Sequence, residues 1–267
     1  MNISWERTGS GPPLLLIQGL GYARWGWEPV VEPLARSFDV LTFDNRGIGE
    51  SEVPVTPYTT ADMAGDAARV LEEAGVERAH VVGTSLGGMI AQELALGHPE
   101  RVEKLVLTCT TPGGPEAFPM PQRTVDLMLA RATIEEYTRN ALHPAERPDL
   151  VSRILAHRKR TDQGYEAWAA QATAGAGFDA SARLGGLAVP TLVQHGDADV
   201  VVDPRNAELL AELIPDARVS IYEGGGHLFF WQEPERFVRE LEEFLAGVGS
   251  TEPAGAEVPA LPAPERT

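Results

Sequence analysis

Residues 83–87, with the sequence Gly-Thr-Ser-Leu-Gly, constrain the fold of this chain more than any other stretch. The apolar, β-branched residues 79–82 before them predict a short buried strand, and residues 88–96 after them predict a helix. Ser85 therefore lies on a sharp turn between a strand and a helix, which is the pattern of a nucleophile elbow. Such a turn strains the serine backbone and exposes its hydroxyl in a cleft, while the flanking glycines let strand and helix pass closely.

The helix after Ser85 adds an electrostatic contribution. Its first residue, Leu86, supplies a free backbone N–H, and the positive end of the helix dipole favours a developing negative charge there. The alternative interpretation is a turn that carries a serine by chance, in a chain with 27 glycines. The strand and helix predicted on either side favour the nucleophile.

Composition limits the class of protein. The chain has 267 residues, 43% of them hydrophobic, which is enough for one large core. Its net charge of -17 would repel phosphate backbones, so we expect no nucleic-acid partner. No apolar stretch reaches transmembrane length and residues 1–6 lack a signal-peptide pattern, so we expect a cytoplasmic protein that does not bind membranes. The single cysteine, Cys109, cannot form an intrachain disulfide and is interpreted as a buried core thiol.

Short apolar runs alternate with helical patterns in the first part of the chain. Strands are predicted at 14–17, 38–43, 79–82 and 102–109. This alternation predicts an α/β fold with a doubly wound, mostly parallel sheet. The glycine-rich residues 18–22 follow the first of these buried strands, at the sheet edge where open α/β folds bind ligands.

The pattern changes after residue 112, where several prolines and glycines interrupt it. Helical patterns then follow, with no strand predicted before Thr191; they cover 123–138, 148–160 and 164–174. We interpret 113–183 as a mostly helical cap inserted into the sheet domain.

Strand patterns resume after this insertion. They cover 191–195 and 218–222, and Pro234 begins a last helix that ends near Ala246. The final residues are rich in Pro, Ala, Gly and Glu, a composition typical of disorder. The predicted organisation is a core of 1–112 and 184–246, the helical cap, and a disordered tail of 247–267.

A serine nucleophile needs a base, and candidates follow the last two predicted strands. Asp197, Asp199 and Asp203 come after one strand, and His227 comes after the other. Because the carboxyl ends of parallel strands share one edge of a sheet, these side chains are predicted to lie near the elbow. The three aspartates are alternatives at this point, and Asp203 is also explained as a helix N-cap.

Five motifs together carry a resemblance to a known family. They are Gln18-Gly19-Leu20-Gly21, Asp44 to Ser51, Gly83 to Gly88, His195 to Asp199, and Gly225-Gly226-His227. With them the chain resembles the α/β-hydrolase fold superfamily, in particular its branch of small esterases, 3-oxoadipate enol-lactonases and cofactor-free haloperoxidases. The resemblance covers 14–110 and 187–246 and implies an α/β-hydrolase fold with a helical cap.

The resemblance implies a catalytic triad. Ser85 would be the nucleophile and His227 the general base and then acid, while Asp199, selected among the three aspartates, would orient His227. The backbone N–H groups of Leu20 and Leu86 would form the oxyanion hole.

The chain departs from the family pattern at Gln18, where the family usually has histidine. Because the oxyanion hole needs only the backbone of Leu20, we expect Gln18 to orient this loop and activity to be retained. The other five histidines, His195 among them, are expected to be structural. None has the spacing of a metal ligand, so no metal and no cofactor are expected.

Aromatic and apolar residues near these motifs suit a small-molecule cleft. We expect Tyr22, Trp25, Trp168 and Leu228 to bind substrate, with core packing as the alternative role for each. Three cap arginines could also bind a substrate carboxylate, although solvent-exposed helix positions explain them more simply; they are Arg123, Arg131 and Arg139.

The function expected from the sequence is that of a serine hydrolase of the carboxylesterase or lactonase type. It would cleave a small carboxylic ester or lactone through an acyl-enzyme, as a monomer or homodimer. Perhydrolysis of the haloperoxidase type and carbon–carbon bond hydrolysis use a similar triad and are alternatives. A non-catalytic ligand-binding protein of the same fold is the alternative from another class.

Overall fold

The computed structural model describes residues 1–144, 147–161 and 164–246. Seven strands form one sheet in the order β1-β3-β2-β4-β5-β6-β7. Their bounds are β1 Trp5–Gly9, β2 Pro13–Ile17, β3 Asp39–Phe43, β4 Ala79–Thr84, β5 Val102–Thr108, β6 Thr191–Gly196 and β7 Ala217–Tyr222. The edge strand β1 runs antiparallel to β3, and the other neighbouring pairs are parallel. This is the doubly wound, mostly parallel sheet that the sequence predicts.

Helices connect and cover these strands. Those packed around the sheet are α1 Glu28–Leu34, α2 Thr60–Glu73, α3 Leu86–Gly97, α8 Arg205–Leu213, α9 Phe229–Gln232 and α10 Pro234–Ala246. Four more lie between β5 and β6: α4 Gln122–Leu129, α5 Ile134–Ala141, α6 Pro148–Thr161 and α7 Tyr165–Ala176. We call these four the roof helices. The tail predicted at 247–267 lies outside the described residues.

The central strands are buried on both faces because helices cover both. Along β2, Leu15 and Ile17 pack into one apolar cluster, and Leu14 and Leu16 pack into a second cluster on the opposite face. The alternation follows from the two-residue period of a strand. Burial on both faces explains why these strands read as unbroken apolar runs in the sequence.

The connections of the sheet change direction between β2 and β4. The chain leaves β2 toward β3 on one side and leaves β4 toward β5 on the other. The loops at the carboxyl ends of such a strand pair leave a crevice, which is where this class of sheet binds ligands. The two loops here are Gln18–Tyr22 after β2 and the elbow after β4.

The helix predicted at 123–138 is wrong, because two helices occupy this segment. The first, α4, ends at Leu129, and Arg131 then takes a left-handed backbone with φ of 51°. Thr133 starts α5 with a capping box, in which its side chain accepts the Glu136 N–H and the Glu136 carboxylate accepts the Thr133 N–H. The spacing Thr-x-x-Glu signals this second start in the sequence.

Candidate active site

Ser85 has the strained backbone expected at a nucleophile elbow. Its φ is 54° and its ψ is −120°, which is a rare conformation for a residue with a side chain. Hydrogen bonds to the strand beside it hold this conformation. The Ser85 N–H donates to the Thr108 carbonyl at 2.9 Å, and the Thr110 hydroxyl donates to the Ser85 carbonyl at 2.8 Å.

The glycines of the elbow allow the backbone to pass closely. A Cβ at Gly83 would overlap the carbonyl of Gly87, and a Cβ at Gly87 would overlap the carbonyl oxygens of Ile17 and Gln18. Helix α3 therefore begins directly against the end of β2. This contact fixes the position of Ser85 relative to the loop after β2.

Asp199 is a fully buried carboxylate with four hydrogen bonds. One oxygen accepts the backbone N–H groups of Val201 and Val202, at 2.7 and 3.0 Å. The other accepts the His227 Nδ1–H at 2.7 Å and the His195 Nε2–H at 3.0 Å. Asp199 thus orients the His227 ring and fixes its tautomer, because an ionised carboxylate can only accept.

His195 donates a hydrogen bond to the buried Asp199, a contact that its expected structural role did not include. Its Nε2–H is shared between Asp199 and the carbonyl of Val202, which lies 3.2 Å away. A carbonyl oxygen is only an acceptor, so Nε2 carries the hydrogen. His195 stands at the end of β6, four residues before Asp199, so the sequence places the two close together but does not show which ring nitrogen points at the carboxylate.

Burial and the neighbouring charge shift the pKa values of Asp199 and His227 in opposite directions. Burial raises the pKa of Asp199, but the His227 charge and the hydrogen bonds from His195 and His227 outweigh it and hold that pKa well below its usual range. Burial lowers the pKa of His227, but the Asp199 carboxylate next to it raises it above its ordinary value. The pair therefore favours an ionised aspartate beside an imidazole that readily takes up a proton.

Cys109 lies next to this pair, which the sequence interpretation as a core thiol did not include. A ligand-type atom of each of Cys109, Asp199 and His227 lies within 4.8 Å of the others. The Cys109 Sγ also lies 3.1 Å from the Thr84 hydroxyl. This is the set of side chains in the described residues that could hold a metal ion, but both Asp199 oxygens already accept hydrogen bonds from within the protein.

Two backbone donors face the elbow without an acceptor. Within residues 1–144, 147–161 and 164–246, neither the Leu20 N–H nor the Leu86 N–H makes a hydrogen bond. The residues on either side of Leu20 are anchored. The Gln18 Oε1 accepts the Gly19 N–H at 3.0 Å, and the Gln171 Oε1 accepts the Gly21 N–H at 3.0 Å.

A cavity of about 260 Å³ lies over these groups. Ser85 and His227 form part of its base, which is continuous with Leu20 and Leu86. We call this base, together with Asp199, the floor of the site. Three of the residues expected to bind substrate also line the cavity: Tyr22, Trp168 and Leu228.

Trp25 does not line this cavity, which corrects its expected role in substrate binding. Its ring stacks on His157 at 4.8 Å and contacts Tyr22 and Trp231. Its indole N–H donates to the Thr161 hydroxyl at 2.9 Å. Trp25 therefore packs helix α6 against the sheet domain.

Polar residues of the roof helices that sequence reasoning did not single out also line the cavity. They are Asn140 on α5, Arg158 on α6 and Gln171 on α7. The three arginines considered from the sequence lie elsewhere. Arg139 pairs with Glu135 on the surface at 2.8 Å, Arg131 lines a neighbouring outer cavity, and exposed Arg123 lines neither cavity. No sequence spacing marks Arg158, because only the packing of α6 turns it inward.

Comparison with known proteins identifies the family. Residues 12–140 and 123–234 match the model of the alpha/beta hydrolase fold family. The chain therefore belongs to the α/β-hydrolase fold family. In the described residues, no helix is long and apolar enough to cross a membrane.

Relatives within this family are hydrolases by name. The chain is 34% identical to a protein of Azorhizobium caulinodans named "Putative carbamate hydrolase RutD", over 92% of this chain and 96% of that protein. It is 29% identical to Est816, an N-acyl homoserine lactone degrading enzyme, with a TM-score of 0.80 over 91% of this chain and 96% of that one. A thermophilic esterase from Thermogutta terrifontis is also 29% identical, with a TM-score of 0.79 over 92% and 93% of the two chains. These matches support a hydrolase.

Proposed function

We propose that this protein is a serine hydrolase that cleaves a small carboxylic ester or lactone through an acyl-enzyme intermediate. The observation that carries the proposal is the strained Ser85 in the same cavity as His227, whose ring is held by the buried Asp199. A structural serine has no need of a left-handed backbone, and strain of this kind is concentrated at functional sites.

The chemistry follows from the positions of these groups. His227 Nε2 would take the proton of the Ser85 hydroxyl as its oxygen attacks the carbonyl carbon, and Asp199 would stabilise the imidazolium that forms. The free N–H groups of Leu20 and Leu86 would bind the resulting oxyanion. The imidazolium would then protonate the leaving alkoxide. In the second half of the reaction His227 would take a proton from a water molecule, which attacks the acyl carbon. The imidazolium would then return this proton to the Ser85 oxygen as the acid product leaves.

The names of the relatives support the choice of substrate class. One neighbour is an esterase and another degrades a lactone, so both ester and lactone cleavage occur on structures similar to this one. The name of the Azorhizobium relative adds carbamates to the compounds that should be tested. All three classes present an acyl carbon that a serine can attack.

The test is labelling with a fluorophosphonate probe, followed by intact mass measurement and a hydrolysis screen. Wild type should gain one adduct, and both Ser85→Ala and His227→Ala should gain none. Ser10→Ala serves as the matched control, because Ser10 is exposed and remote from the cavity, and it should label like wild type. Unlabelled wild type should hydrolyse 4-nitrophenyl esters, lactones or carbamates, and both Ser85→Ala and wild type already labelled by the probe should not.

A folded wild type that takes up neither the fluorophosphonate nor a smaller sulfonyl fluoride would contradict the proposal. The protein would then be treated as a ligand-binding member of its family. Labelling of Ser85→Ala to the same extent as wild type would contradict it as well, because the reactive group would lie elsewhere.

A further inference from the structure

The cavity over Ser85 differs in charge from the rest of the chain. The protein has 39 acidic and 22 basic residues, yet no aspartate or glutamate lines the cavity in the described residues. Arg158 contributes the one permanent positive charge among these lining residues. An apolar cavity with a single cation, in so acidic a protein, is suited to an anion.

Arg158 has no carboxylate partner within the described ranges. Its neighbours on α6 do, since Arg153 and His157 both contact Glu28, at 2.9 and 2.8 Å. Those two side chains contact α1 of the sheet domain, whereas Arg158 is half-buried and lines the cavity. Because a partly desolvated guanidinium is costly without a counter-charge, this arrangement leaves an electrostatic interaction unmade in the free protein.

The guanidinium of Arg158 is held in place although it is unpaired. It lies over the Tyr22 ring, with 4.7 Å between the guanidinium carbon and the ring centroid. One of its nitrogens would stand 2.8 Å from a Cβ added to Gly21, so it lies directly against the loop that carries Leu20. Gln171 fixes this loop through the Gly21 N–H. A charge positioned in advance in this way loses little entropy when it binds a ligand.

Three further residues of the cavity lining each have a buried polar atom that has no hydrogen-bond partner in the described part of the chain. The Gln18 Nε2 and the Tyr22 hydroxyl can donate hydrogen bonds, and the Asn140 Oδ1 can accept one. Because these atoms have almost no exposed surface, Arg158 is the group of the lining that can pair with a carboxylate, through two N–H donors at once.

From these observations we infer that Arg158 binds a carboxylate carried by the substrate, away from the bond that is cleaved. The preferred substrates would then be anionic: half-esters of short dicarboxylic acids, or lactones that bear a free carboxylate. This inference rests on the proposed function, because it assigns the substrate class to the same site. It requires no chemical step beyond ester cleavage, since the carboxylate only binds.

The experiment compares two esters of similar size on the same enzyme. The 4-nitrophenyl half-ester of glutaric acid carries the carboxylate, and 4-nitrophenyl hexanoate is its neutral counterpart. Wild type should prefer the half-ester by at least about tenfold in kcat/KM. Arg158→Met, which keeps the apolar stem, should lose about 30-fold or more on the half-ester, mainly through KM. It should change less than about threefold on the neutral ester, and Arg158→Lys should recover part of the loss.

Arg123→Met is the matched control, because it removes the same charge from an exposed position on α4 that does not line the cavity. It should leave the kinetics of both esters unchanged. Binding gives a second readout: Ser85→Ala should bind the half-ester in calorimetry, and the Ser85→Ala, Arg158→Met double variant should bind it at least about tenfold more weakly.

The outcomes separate this inference from the proposed function. Equal turnover of the two esters by wild type, or an equal loss on both in Arg158→Met, would overturn the role of Arg158 and leave the serine hydrolase intact. No turnover and no labelling by the fluorophosphonate would overturn the proposed function. If Arg158→Met does not fold, the wild-type preference and the Arg158→Lys kinetics still decide the matter.

Discussion

The floor and the roof of the cavity are built by different means. The floor consists of strand ends, where backbone contacts and hydrogen bonds fix each group: Gly87 against β2, Ser85 against Thr108, and Asp199 with four donors. The roof helices contribute side chains, such as Trp168, that pack through rings and apolar surface. A floor fixed by backbone suits chemistry that every substrate shares. Substitution of side chains on the roof helices can change which ligand the cavity binds.

Asp199→Asn tests the floor with the largest expected effect. The amide would favour the wrong tautomer of His227, so kcat should fall by about 10⁴-fold on all substrates alike. Steady-state kinetics on two unrelated esters measures it. Asp197→Asn is the control, because that carboxylate accepts a backbone N–H from Gly224 and lies outside the cavity lining. A comparable loss in Asp197→Asn would contradict the assignment of the acid.

The pH dependence of the wild type follows from the same pair. His227 must be neutral to act as a base, so activity is present above its pKa and is lost as the pH falls through it. Since Asp199 raises that pKa, the acidic limb of kcat/KM should lie above the 6.5 of an ordinary histidine. In Asp199→Asn the residual activity should show this limb at lower pH. A limb that stays in place would show that the carboxylate does not act on His227.

Gly87→Ala tests whether the floor depends on close backbone contact. The added Cβ would overlap the carbonyl oxygens of Ile17, at the end of β2, and of Gln18 after it, so the free energy of unfolding should fall by about 3 kcal/mol. Gly65→Ala is the matched control. It lies within α2 with open space around its Cβ position and should stabilise by about 0.5–1 kcal/mol. Chemical denaturation measures both, and equal effects would mean that the contact at the elbow is not tight.

His195→Phe tests the second imidazole on Asp199. A hydrogen bond to a charged group contributes about 1.5–3 kcal/mol, so kcat should fall by about ten- to a hundredfold with little change in KM. His195→Gln can still donate an N–H and should recover much of the loss. If both variants have wild-type kcat while their thermal stability falls, His195 is only a packing residue.

Trp168→Ala tests the roof and should have the smallest effect. Removing this wall of the cavity should raise KM by about tenfold for bulky esters and leave kcat within about threefold. Leu129→Ala is the control, because Leu129 is 78% exposed on α4 and lines neither cavity. A loss in kcat as large as that of the floor variants would remove the distinction between the two regions.

The two regions also differed in how far the sequence could predict them. The floor could be predicted because its residues follow strands directly, and parallel strands bring their carboxyl ends together whatever the exact packing. The positions of Ser85, Asp199 and His227 around one edge follow from this rule. The hydrogen bond from His195 could not be predicted, because it depends on where one ring nitrogen points.

The roof could be predicted as helical, but its contribution to the site could not. Arg158 and Gln171 lie on helices whose polar residues face both the solvent and the cavity, and only tertiary packing separates the two sets. The same reason explains the wrong prediction for Trp25. Its position after the Leu20 loop suggested the cavity, but the Thr161 hydroxyl and the His157 ring hold it elsewhere.

The segment that carries the roof helices begins and ends at the same place in the fold. Gly113 forms an antiparallel bridge with Asp179, and the Ala180 N–H donates to the Pro112 carbonyl at 2.9 Å. Because the two ends of the segment meet, its length and internal arrangement place little demand on the spacing of β5 and β6. In evolution, insertions, deletions or replacement of the segment between these two ends can therefore change the roof helices and leave the floor of the site unchanged.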